Sequence, residues 1–286
     1  MPRVGYSTVG FVDREVEPAL DIIAAAGYQQ VEILCQDPHV APLPQGDELS
    51  AFRSRLDARG FTDVTLHAPM GRMSPGAPEE AWRQEVVAIL ADHVRFAGEI
   101  EASAVVMHPV PNGRFVAEPD APDVPGRMDA AARRSLDELV PLAEDAGTRI
   151  LLENLPYTCA FPLLTMKALR PLVDAYPMEA LGLVIDTGHA GTVRLDAAEE
   201  IRAAGERLWG THLQDIDGDE PNDQHWVPGQ GALDWDAIRA AMAEVDYRGA
   251  WTFEVINGRD GESKDDLPRM CRQVAEAWGL LGEKPK

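Results

Sequence analysis

Short runs of apolar and β-branched residues alternate along this chain with longer stretches whose apolar residues recur every three or four positions. The first pattern is that of buried strands and the second that of amphipathic helices; their alternation predicts repeated βα units around a parallel sheet. Eight strand candidates follow one another: RVGYS near Val4, QVEILC near Val31, DVTLH ending at His67, SAVVMH ending at His108, RILLEN ending near Glu153, LGLVID ending at Asp186, LWGTHL around His212 and AWTFEV around Glu254. Helical patterns such as EPALDIIAAAG, EEAWRQEVVAILADHVRFAGEI and WDAIRAAMAEV lie between them. Gly27, Gly60 and Gly147 stand where a helix C-terminus calls for a left-handed residue. Eight such units in 286 residues fit an α/β fold made of a single (β/α)8 TIM barrel over residues 1–286, with no Ser, Gly or Pro linker dividing it. A doubly wound sheet would need a glycine-rich first turn, and GYSTVG is not one.

Composition narrows the setting. A hydrophobic share of 45% with 26% charged residues is globular. Three widely spaced cysteines without a CxxC pair point to a reducing cytoplasm, and no leader or membrane-spanning run is visible. The net charge of −22 repels polyanions, so nucleic acid and anionic lipid are not expected partners.

Catalytic residues of a barrel stand at the C-terminal ends of its strands, so the residue that closes each apolar run carries the information. Six of the eight runs close on, or within two residues of, a metal-ligand type: His67, His108, Glu153, Asp186, His212 and Glu254. His189 follows in VIDTGHAG, and Asp223 and His225 sit in NDQHWVPGQGAL after the seventh run. So many carboxylates and imidazoles at one barrel mouth would repel one another without a cation, whereas a divalent metal makes them ligands and their supports. His39 and His93 close no strand and are expected to be structural or exposed.

In this order LHAP, VMHP, LLENLP, VIDTGHA, THLQD, NDQHWVPGQGALDW and WTFEV resemble the xylose-isomerase-like barrel superfamily, from the third strand to the eighth. That superfamily includes sugar isomerases and epimerases, inosose dehydratases and the endonuclease IV repair enzymes. The resemblance implies that one divalent ion is held by Glu153, Asp186, His212 and Glu254. It further implies that His67, His108, His189, Asp223 and His225 bind substrate or complete a cluster of up to three zinc ions, as in the endonuclease branch. Ligands of oxygen and imidazole type suit Mn²⁺, Co²⁺, Mg²⁺ or Zn²⁺.

The expected reaction is isomerisation or epimerisation of a sugar or cyclitol, by proton abstraction next to a carbonyl through an enediolate that the metal stabilises. Glu153 and Glu254 would exchange the protons, and His189 would bind a substrate oxygen or steady the ligand shell. Met70, Tyr157, Phe161 and Trp226 are candidate wall residues. With no glycine-rich cradle or clustered Arg in the sequence, a neutral substrate is expected. The alternatives are a trinuclear-zinc phosphodiesterase of the endonuclease IV kind and a dehydratase or lyase on the same scaffold. Against the first, Met70 stands where the repair enzymes carry an aromatic residue. Pairing of copies through the outer helices is the expected route to a homo-oligomer.

Overall fold

The structure, a computed structural model, describes residues 2–281. Eight parallel strands form the inner wall: β1 (Arg3–Ser7), β2 (Gln30–Leu34), β3 (Asp63–His67), β4 (Ala104–Met107), β5 (Ile150–Glu153), β6 (Leu181–Asp186), β7 (Leu208–His212) and β8 (Ala250–Phe253). They neighbour one another in chain order, and β8 returns to pair with β1 through Arg3–Ala250 to Tyr6–Phe253. The remaining seam, between β7 and β8, is closed by a parallel bridge at Leu213 and Phe253. Thr211 supports this seam with its side chain: the Thr252 N–H donates to its Oγ1 at 2.9 Å, and its hydroxyl donates to the Ala250 carbonyl at 3.2 Å. The sheet is therefore a barrel, as the alternating pattern predicts.

Outside it run α1 (Val16–Ala25), α2 (Asp47–Ala58), α3 (Glu80–Glu99), α4 (Val124–Ala146), α5 (Met166–Val173), α6 (Thr187–Thr192), α7 (Ala197–Ala204), α8 (Trp235–Glu244) and α9 (Leu267–Ala277). Their inner faces bury residues such as Leu20, Ile23, Leu56, Leu90 and Leu136 completely, each stabilising the fold by about 1.5–3 kcal/mol. Helix starts follow their capping residues: Thr165, Asp196 and Asp234 accept from Ala168, Ala198 and Ala237 backbone N–H groups. Gly27, Gly60 and Gly147 all adopt positive φ at helix ends. Among the described residues no helix is long and apolar enough to cross a membrane.

The bore of the barrel is divided by chemistry. Ala104, Val106, Leu151 and Val184 make one side apolar. On the other, Gln30 bridges Thr252 and Thr65, each at 3.1 Å, and Thr65 hydrogen-bonds Glu32 at 3.3 Å. A Cβ on Gly5 would lie 1.3 Å from Gln30 Oε1, so glycine there makes room for this polar column.

Candidate functional site

At the C-terminal mouth, Glu153 closes β5, Asp186 closes β6, His212 closes β7, and Glu254 stands one residue past β8. Ligand atoms of these four residues all lie within 4.8 Å of one another. Donors about 2.0–2.2 Å from one ion stand at most about 4.4 Å apart, so only a small contraction makes a closed shell. The donor set fits a divalent cation in a second way, because Glu153 Oε2 is buried without a hydrogen bond. Burial also pushes the Asp186 and Glu254 carboxyls above their ordinary range, against the pull of His189 and His225 on the first and of His212 and His225 on the second. A divalent cation between them would offset this cost of burying the charged forms. Glu153 behaves differently: burial raises it too, but His212, with His108 and His67 close to its carboxylate, holds it well below the usual carboxylate range.

His212 is oriented by an acid that reading only the strand ends overlooks. Its Nδ1 faces Glu153 Oε1 at 2.8 Å and Glu254 Oε2 at 3.5 Å, while Nε2 faces Glu32 Oε1 at 3.0 Å. Glu32 lies within β2 and is buried beneath the mouth. A carboxylate on the outer nitrogen of an imidazole fixes its tautomer and strengthens the other nitrogen as a donor. The signal in the sequence is one acid inside the apolar run QVEIL. Against its burial, Glu254, Glu32 and Glu153 hold the His212 pKa well above the ordinary value.

Three other histidines share one arrangement. His67, His189 and His225 each place Nδ1 2.8–2.9 Å from a backbone carbonyl, of Ala68, Asn154 and Glu254 respectively. Nδ1 donating to those carbonyls leaves each Nε2 turned toward the mouth: His67 to Glu153 at 3.4 Å, His189 to Asp223 at 3.5 Å and His225 to Asp223 at 3.0 Å. His108, whose strand ends just before it because Pro109 offers no ladder donor, faces Glu153 at 3.2 Å. Three further triads of ligand atoms result: His67–His212–Glu254, which shares two residues with the first four, and the outer triads His67–His108–Glu153 and His189–Asp223–His225. All nine sequence candidates therefore gather at one mouth.

The Asp223 and His225 pair reaches the site through its loop. His225 has a φ of 52°, a strained value for a residue with a side chain. Gln214 holds the arrangement, donating to Asp223 Oδ1 at 3.0 Å and to Asp186 Oδ1 at 3.2 Å, while its Oε1 accepts the His225 N–H at 3.1 Å. It packs so closely on Gly188 that a Cβ there would lie 2.1 Å away. Asp186 Oδ1 also caps α6 by accepting the His189 N–H at 2.7 Å. Opposite Asp223, the His225 imidazole is raised to about 9, with burial opposing and the Asp223 carboxylate prevailing.

Above this floor opens a cavity of 650 Å³. Met70 and Tyr157 line it, together with Gln36, Met73 and two arginines. Phe161 and Trp226 do not. Phe161 is buried in the core behind the turn at Gly113, and Trp226 packs under Arg259, whose guanidinium carbon is 5.5 Å from its ring centre. Apolar character alone did not distinguish a wall from its backing. His39 and His93 are both buried and bond the carbonyls of Phe11 and Ile89, so neither is exposed and both are structural.

The fold belongs to one class of barrel. The chain belongs to the xylose isomerase-like TIM barrel family, whose model matches residues 20–274. An uncharacterized protein of Methanocaldococcus jannaschii is 26% identical over 287 residues, covering 99% of this chain and 93% of that protein. Fructoselysine 3-epimerase of Shigella flexneri is 23% identical over 287 residues, 98% of each chain. Among solved structures, that of D-psicose 3-epimerase in the presence of D-fructose has a TM-score of 0.80 at 16% identity, covering 97% of this chain and 99% of that one.

Proposed function

We propose that the protein is a divalent-metal-dependent sugar epimerase or isomerase that moves a proton at the carbon next to a carbonyl. The observation that carries this reading is the convergence of Glu153, Asp186, His212 and Glu254 on one point at the floor of the cavity. An end-to-end relative that is a 3-epimerase supports it. When bound by these four residues, a divalent ion would polarise the substrate's carbonyl and neighbouring hydroxyl and so acidify the hydrogen between them. Mn²⁺, Co²⁺, Mg²⁺ and Zn²⁺ all suit this donor set.

The remaining work falls to the chain. Glu153 and Glu254 rise from β5 and β8, so one takes the proton from a face of the substrate carbon and the other returns one. Both are buried at the floor of the cavity, so they face the substrate during proton transfer and regain their starting protonation by exchange with water between turnovers. His189, its Nδ1 committed to Asn154, offers Nε2 to a sugar oxygen or to Asp223. Met70 and Tyr157 close the wall around the ring or chain of the sugar.

The two outer triads favour one second reading, phosphodiester hydrolysis by three zinc ions. The acidic chain opposes it, because duplex DNA carries about one charge per 1.7 Å. Incubation with a panel of ketoses and added Mn²⁺ separates the readings. The expected result is an epimer or isomer whose formation stops on chelation and resumes with Mn²⁺. Efficient incision of an abasic duplex at physiological salt, with three zinc ions per chain and no sugar product, would establish the nuclease instead. On the sugar reading, the double change Asp223→Ala with His225→Ala weakens substrate binding but leaves one tightly bound metal; on the nuclease reading it empties a zinc site.

A further inference from the structure

The floor of the cavity is acidic, but its opposite wall is not. The loops after β3 and β4 bring Arg72 and Arg114 to that wall, and these are the only arginine or lysine side chains lining the cavity among the described residues. We propose that Arg114, supported by Arg72, binds a terminal anionic group of the substrate, a phosphomonoester or a carboxylate, while the carbonyl end of the sugar lies over Glu153, Asp186, His212 and Glu254. This deepens the sugar-enzyme reading and rests on it.

Three observations carry the assignment. First, the two loops are joined, since the Asn112 N–H donates to the Gly71 carbonyl at 2.9 Å, which places both arginines on one wall. Gly71 has a φ of 76°, and a Cβ on it would press to 3.1 Å on the Phe115 ring, so the close approach requires glycine. Second, Arg114 is positioned yet uncommitted. Asn112 Oδ1 accepts its backbone N–H at 3.1 Å, and its guanidinium carbon lies 4.7 Å from the centre of the Phe115 ring, but it forms no ion pair among the described residues. Arg72, by contrast, is tied to Glu85 at 2.9 Å and packs 4.9 Å from the Trp82 ring centre, so it adds positive potential from a fixed place. Third, the ring beneath Arg114 is turned outward: Phe115 is 41% exposed, one of the few large apolar side chains in the protein that are. A planar, five-donor guanidinium resting on an aromatic face is suited to a phosphate or carboxylate. The cavity of 650 Å³ holds more than a bare monosaccharide fills.

In a protein of net charge −22, this wall brings two arginines to a cavity whose floor is acidic, and so sets the orientation of an anionic substrate: anion toward Arg114, carbonyl end toward the acids. Sequence alone predicts a neutral substrate, because the two arginines stand in separate loops and form no run.

The test is binding of non-epimerisable analogues by calorimetry: a hexitol, its terminal phosphate and the corresponding hexonate, each with wild type, Arg114→Gln and Arg114→Lys. Wild type is expected to bind at least one of the anions about tenfold more tightly than the hexitol, the scale of one charge-assisted hydrogen bond. That ratio is expected to fall to about twofold or less in Arg114→Gln and to be partly kept in Arg114→Lys, and whether the phosphate or the hexonate shows it identifies the group. Arg114 is exposed on a turn, so the variants are expected to fold, which their unfolding transitions check. Equal affinity for neutral and anionic analogues, no binding of either anion, or a ratio unchanged in Arg114→Gln overturns the assignment. Turnover of ketoses, both neutral and bearing a terminal phosphate or carboxylate, measured alongside, keeps the two readings apart. A protein that epimerises them without any anion preference loses only the role of Arg114. One that turns over no sugar yet shows the Arg114-dependent preference loses only the epimerase reading.

Discussion

Glu32 sits within an otherwise apolar strand, and its position follows from register. On β2 it lies beside Ser7 of β1 and Thr65 of β3, and its carboxylate rises to His212 Nε2 from below. Because this contact leaves Nδ1 facing Glu153 and Glu254, Glu32→Gln is expected to loosen divalent-metal binding by about 10–100-fold, the usual cost of losing an outer partner of a ligating histidine. Titration of Mn²⁺ into the metal-free variant measures this; an affinity equal to that of the unchanged protein would remove Glu32 from the site. Glu153, Asp186, His212 and Glu254 were legible in the sequence because each closes an apolar run, and a barrel gathers strand ends at one mouth. Glu32 was not, since nothing local shows which face of a buried strand a lone carboxylate takes. Nor does the sequence show that Phe161 lies in the core behind the cavity, as apolar side chains serve the core and the pocket alike.

Among the elements, the loop after β7 is tied together by a single buried side chain. Asp215 is fully buried and accepts four hydrogen bonds: from the N–H groups of Ile216, Gly229 and Leu233 at 2.9, 2.8 and 3.1 Å, and from Trp235 Nε1 at 2.8 Å. It thereby joins the Pro-Gly-Gln-Gly turn to the start of α8 and holds the segment carrying Asp223 and His225. Gly231 packs on the same carboxylate, where a Cβ would lie 2.4 Å from Asp215 Oδ1. Asp215→Ala leaves buried donors without partners, so a loss of about 3 kcal/mol or more is expected in denaturant unfolding, with faster hydrogen exchange in residues 216–233. A stability change under about 1 kcal/mol would show that the loop is held by other contacts. The turn itself was readable from PGQG, as were the eight strands and the helix-ending glycines. The role of Asp215 and the closing of the β7–β8 seam through Thr211 were not, because both depend on contacts between elements that local pattern does not encode.

At the scale of the whole molecule, one closed barrel presents a buried ring of acids and imidazoles within a strongly acidic chain. That charge distribution suits a small substrate captured at the mouth better than a polyanion lying across it. The family membership is consistent with this, since its barrels share the scaffold while the site decides the chemistry. The central claim is that Glu153, Asp186, His212 and Glu254 hold a divalent ion under which a proton is exchanged at the carbon next to a sugar carbonyl. Proton NMR of ketoses incubated with the protein and Mn²⁺ in D₂O reads this exchange directly. The account predicts deuterium at the carbon adjacent to the carbonyl of at least one ketose, dependent on the metal and lost in Glu254→Gln, a variant that remains folded. The claim is contradicted if no ketose in the panel takes up deuterium, or if uptake is unchanged by chelation or by Glu254→Gln.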